Sequence, residues 1–102
     1  MLKFIENAEE VLANIECNCL DAAAVPEFRE SVKLSPEAGG RKFLVDLSKV
    51  EFIDSSGVGA LLSLFKKSQT SESDFIFLNP HPTAQSVLEL LKLHRVFTIE
   101  HR

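Results

Sequence analysis

Two adjacent hydroxyls in Asp54-Ser55-Ser56-Gly57-Val58-Gly59 are the residues of this chain best placed to do chemistry. They stand where a polar loop gives way to a helix, and the unpaired amides and positive dipole end of a helix start favour an anion such as a phosphate. Either Asp54 or Ser55 can cap that helix. If Ser55 does, its oxygen is held by the amide of Gly57 or Val58, and the hydroxyl of Ser56 is left free to be modified. Gly57 and Gly59 fall in the first turns, where each costs about 0.5–1 kcal/mol relative to alanine. Their presence points to a backbone that a neighbouring element or a partner protein approaches closely. A serine at a helix start also suggests a hydrolase nucleophile. The elbow pattern of such enzymes needs glycine two positions before the serine, and Ile53 and Asp54 stand there instead.

Other reactive side chains are sparse. Cys17 and Cys19 are the only cysteines, and their spacing on an extended strand puts both on one face in a geometry poorly suited to a mutual disulfide. They read as small buried hydrophobes. His81, His94 and His101 lie far from them at no recognisable ligand spacing, so the expected metal and cofactor content is none.

The elements that must position the serines follow from the hydropathy pattern. Leu2–Ile5 and Val11–Cys19 read as strands joined by a turn over Asn7–Glu10, an N-terminal antiparallel hairpin. Asp21 reads as the N-cap of a helix from Ala22 to Lys33 or Leu34, with Val25, Phe28 and Val32 inward and Pro26 in the first turns. Ser35–Gly40 is a loop, and Phe43–Leu47 is an apolar run suited to a strand covered on both faces. A second helix runs to about Gln69 with Val58, Leu61, Leu62 and Phe65 on one stripe, and with Lys66 and Lys67 on its polar side. Thr70–Asp74 is a polar loop and Phe75–Leu78 another strand. A turn over Asn79–Pro82 leads to a helix over Thr83–Leu91, and Val96–Ile99 is a last strand. The expected fold class is α/β: a mixed sheet of four to five strands with three to four helices, the N-terminal hairpin strands followed by alternating α and β.

Length and charge narrow the function. At 102 residues, 45% hydrophobic and 25% charged, the chain fits one domain over 1–102. A chain this short buries about 60–70% of its extended surface, which leaves little room for a deep active site, so it reads as no enzyme. The net charge of −4 has the wrong sign for tracking nucleic acid, and it resides in the first half, where 10 acids face 6 bases. A basic partner surface suits it better. Neither a membrane span nor a signal-peptide pattern is legible, so the expected location is cytoplasmic, with no membrane insertion.

The run from Asp46 through Leu62, with Phe52-Ile-Asp-Ser-Ser-Gly-Val-Gly59 at its centre, resembles the signature of bacterial anti-sigma factor antagonists of the sulphate-transporter and anti-sigma-antagonist (STAS) domain family. The likeness extends to Leu20-Asp-Ala-Ala-Ala-Val-Pro-Glu-Phe-Arg29 and to Val87-Leu-Glu-Leu-Leu-Lys-Leu93 with Phe97-Thr-Ile99, nearly the whole chain. The resemblance implies a STAS-type sandwich. It also implies a partner that is both anti-sigma factor and serine kinase, phosphorylation at Ser56 with Ser55 as the fallback, and a serine phosphatase that reverses it. By the same likeness Asp21, Asp54, Ser55, Ser56, Gly57, Val58 and Gly59 form the partner-binding surface. The alternatives are a STAS regulator of a non-sigma output such as biofilm formation, a transporter-associated regulator, or a non-phosphorylated accessory subunit of a lipid-transport ATPase complex. The oligomeric expectation is a monomer or weak dimer. The chain departs from the family pattern at Asn18, where glycine is usual, and in the glycine-free loop Ser68–Asp74.

Overall fold

Strands β1 (Leu2–Glu6) and β2 (Glu10–Ile15) pair antiparallel, from Leu2 opposite Ile15 to Glu6 opposite Val11, in a computed structural model that describes residues 1–102. Asn7 makes the turn, its Oδ1 accepting from the amides of Glu9 and Glu10 at 2.8 and 2.9 Å. The expected hairpin is present, but its second strand stops at Ile15, short of Cys19. Beyond that point the neighbours run out: Glu16 makes its amide bond to Met1 at the start of the chain, and the parallel partner on the other side ends opposite Asn14.

The chain then forms a two-residue strand, β3 (Cys19–Leu20), which pairs parallel with β5 (Phe52–Ile53) in a separate small sheet that the sequence pattern did not reveal. The main sheet adds β4 (Lys42–Asp46), β6 (Phe75–Leu78) and β7 (Thr98–Glu100) in the order β1-β2-β4-β6-β7, parallel from β2 onward. This is the mixed five-stranded sheet expected. β7 starts two residues later than the expected Val96, because Leu93–Arg95 make a 3-10 turn and Phe97 is drawn into the core.

Helices α1 (Val25–Val32), α2 (Ser55–Ser68) and α3 (Pro82–Leu90) complete the chain. The main core joins Val11, Ala13, Ile15, Phe43, Val45, Phe75 and Phe77 of the sheet to Phe28, Leu61, Leu64 and Leu88 of the helices. Alternation puts those strand residues on one face. Leu44, Ile76 and Leu78 on the opposite face form a small cluster that includes no helix residue, so all three helices cover one side. On α2 the buried stripe is turned slightly from the expected one: Val58 and Leu61 are inside, Leu64 takes the centre, and Leu62 and Phe65 are half-buried. Phe65 packs edge-on to Phe75 and Phe97, with ring centroids 5.1 and 5.0 Å away.

Candidate functional site

Asp54 caps α2. It sits in extended backbone, φ −110° and ψ −176°, and its Oδ1 accepts from the Gly57 amide at 2.9 Å, which settles the choice between Asp54 and Ser55. Ser55 and Ser56 are therefore the first and second helical residues, both exposed, with neither hydroxyl committed to capping. Ser56 is free as the sequence reading required, though the group that frees it is the Asp54 carboxylate.

The second carboxylate oxygen of Asp54 reaches another segment, accepting from the Ala22 amide at 3.3 Å. Main-chain bonds reinforce this link: the Asp54 amide donates to the Leu20 carbonyl at 3.3 Å, and the amides of Glu51 and Phe52 donate to the Asn18 carbonyl at 2.7 and 3.2 Å. The segments 18–24 and 51–57 are thus stitched together, and Asp21 is brought beside the serine loop. Asp21 does not cap α1 directly. Its Oδ1 accepts from the amides of Ala23 and Ala24, both at 3.1 Å, closing a turn that delays the helix from Ala22 to Val25.

The two glycines have different causes. A β-carbon on Gly57 would run into the Leu20 carbonyl, far inside van der Waals contact, so the close approach there comes from β3. At Gly59 only the Arg29 Nη2 stands near, at 3.9 Å. Gly57 is buried and Val58 is 6% exposed, its side chain in the core. Both pack inward, because the inward turn of α2 begins at Gly57. Asp21, Asp54 and Gly59 are half-buried and remain at the surface with the serines.

Sequence reasoning missed Phe52 and Cys19, which face outward opposite each other in the β3–β5 pair, Phe52 at 48% exposure. In a two-residue strand one neighbour must point out when Leu20 and Ile53 point in. The cysteines accordingly are not buried hydrophobes: Cys19 is exposed, Cys17 half-buried, and both are free thiols. Burial foremost, and the nearby Cys19 next, push the Cys17 thiol above its ordinary pKa of 9.0. Lys66 and Lys67 lie about 15 Å along α2 from Ser56, outside this surface. A cleft of about 440 Å³ lined by Glu9, Glu10, Arg41, Lys42, Asp74 and Arg102 is at the opposite end of the sheet, where β2 and β4 begin. The serine surface lies outside this cleft and holds no group of three or more metal-ligating side chains.

A hairpin leading into a mixed sheet, helices on one face and a capped helix start beside the β3–β5 pair together define a STAS fold. Residues 18–102 match the STAS domain model, and the chain belongs to that family. Its structure resembles that of the anti-sigma factor antagonist SpoIIAA in its unphosphorylated form, at 24% identity and a TM-score of 0.70, over 98% of this chain and 88% of that one. The phosphorylated form of the Bacillus cell fate determinant SpoIIAA aligns at 24% identity and 0.62, over 98% and 91%. An anti-sigma-factor antagonist (STAS) domain protein from Planctomyces limnophilus aligns at 20% and 0.73, over 98% and 88%. The murine anion transporter Slc26a9 shares the fold at 22% and 0.65, over 84% of this chain and 14% of the transporter. No helix is long and apolar enough to cross a membrane.

Proposed function

We propose that residues 1–102 act as one STAS unit, an anti-sigma factor antagonist in a cytoplasmic partner-switching pathway. Unmodified, the chain docks on an anti-sigma factor that is also a serine kinase and releases its sigma factor. Phosphorylation at Ser56 ends that binding, and a serine phosphatase restores it. The observation that carries this reading is the exposed, uncommitted Ser56 hydroxyl in the second helical position of α2, on a platform shared with Asp21, Asp54 and Phe52. Such a platform suits recognition by area, and its carboxylates suit a basic partner surface. The chain is then a regulator and substrate, and no enzyme.

A phosphate adds about −1.5 to −2 charges at the centre of this surface. Covered by a partner, it must be desolvated beside Asp54, and a penalty of about 3–4 kcal/mol weakens binding by two to three orders of magnitude. The fold needs no rearrangement for this, since the change is one of charge and bulk at an exposed position.

The test is incubation of the chain with its candidate serine kinase and ATP, followed by intact-mass measurement and site mapping. A single phosphate on Ser56, absent in Ser56→Ala, supports the switch. A kinase active on another substrate that leaves this chain unmodified overturns it, and a stable ATPase complex indifferent to Ser56 substitution places the chain with accessory STAS subunits.

A further inference from the structure

We propose that Arg29 receives the phosphate of Ser56, so that the modified chain holds its own phosphate between α1 and α2. The inference rests on Ser56 as the modified residue. Arg29 is exposed on α1, and no carboxylate lies within ion-pair distance of it. Its Nη1 donates instead to the Ser63 Oγ at 2.7 Å, and that hydroxyl donates to the Gly59 carbonyl at 3.2 Å. Ser56, Gly59 and Ser63 fall at i, i+3 and i+7, on one stripe of α2. The guanidinium therefore lies over that stripe between Gly59 and Ser63, one to two helical turns, about 5–10 Å, along α2 from Ser56.

Gly59 leaves the track between them bare. A long side chain at 59 would separate Arg29 from Ser56, whereas glycine offers only backbone. Rotation about its four side-chain torsions swings the guanidinium from Ser63 past Gly59 toward Ser56. It exchanges a neutral hydroxyl for a dianion, and charge-assisted, bidentate pairs of guanidinium with phosphate are the stronger partnership. The two carboxylates nearby, Asp54 at the start of α2 and Asp21 ahead of α1, leave the guanidinium to the phosphate. Asp54 is held by the amides of Gly57 and Ala22, and Asp21 by those of Ala23 and Ala24, so neither competes for Arg29, and both repel a phosphate toward it. Ser63 is the seat Arg29 occupies while Ser56 is unmodified.

The test installs phosphoserine at position 56 during translation, without any kinase, and follows its second ionisation by ³¹P resonance. The midpoint in the otherwise unchanged chain is expected about 0.5 pH unit below that of Arg29→Gln, with Arg29→Lys between the two. Asp54, Asp21, Glu27, Glu30 and Glu51 are the same in all three chains. The Arg29 side-chain Nε–H resonance is expected to move on phosphorylation and to keep its position in the unmodified chain. Equal midpoints in the parent and Arg29→Gln, with an unmoved Nε–H, overturn the proposal. Because the phosphate is installed without a kinase, that failure leaves partner switching untouched, and failure of a kinase to modify Ser56 leaves this result standing.

Discussion

The carbonyl oxygen of Leu20 lies against the backbone of Gly57 on the side where any other residue carries its β-carbon. Replacement by alanine therefore forces β3 and α2 apart. The overpacking cost of about 1–3 kcal/mol exceeds the 0.5–1 kcal/mol that alanine gains in a helix, so Gly57→Ala is expected to lower stability in urea unfolding. Gly59→Ala meets only the end of the flexible Arg29 side chain and is expected to raise it by about 0.5 kcal/mol. Responses of opposite sign at two glycines a half-turn apart separate close packing from open backbone.

Removing the Asp54 carboxylate strips α2 of its cap and unties Ala22 in one step. We expect Asp54→Ala to cost about 1–2 kcal/mol, with faster hydrogen exchange at both the Gly57 and Ala22 amides. Faster exchange at Gly57 alone would mean that the Ala22 bond contributes nothing.

Ser56 and Phe52 are both exposed, so their substitution is expected to leave stability within about 0.5 kcal/mol. Binding to the kinase partner separates them from the parent. Ser56→Ala is expected to bind constitutively, and Ser56→Asp and Phe52→Ala each at least about tenfold more weakly. A titration in which all bind alike removes the β3–β5 edge and the serine loop from the interface.

The two thiols are expected to differ in alkylation, Cys19 ahead of Cys17, as read by peptide mass after timed exposure to iodoacetamide at pH 8. The raised Cys17 value also has a sign for stability. The unfolded chain loses this proton first as pH climbs past the ordinary 9.0, so the contribution is whole below that value and declines above it. Cys17→Ser is expected to flatten the alkaline limb of a stability profile, and an unchanged limb would refute the burial effect.

The near-continuous apolar run at Phe43–Leu47, the all-apolar Phe75–Leu78, the Asn7 turn and the α2 periodicity were legible because each is set by neighbours close in sequence. The β3–β5 pair was not, since two residues are too few to show alternation and their partners lie 33 positions away. The same distance hid the exposure of Cys19 and Phe52. The serine loop was legible by type and spacing. What makes Gly57 obligatory is a carbonyl contributed by another strand, which local pattern does not carry. Arg29 escaped notice for the same reason: its partner, Ser63, is on a different helix.

That stitched junction also governs when the serine loop comes into being. Leu20 and Asp54 meet only after the intervening segment has closed, a non-local event with an entropic toll that places it late in folding. A nascent or partly unfolded chain therefore displays the letters of the acceptor loop without its shape. A free peptide covering residues 50–62 is expected to be a far poorer kinase substrate than the folded chain. On the proposed reading, a chain would become a substrate only once this junction has closed.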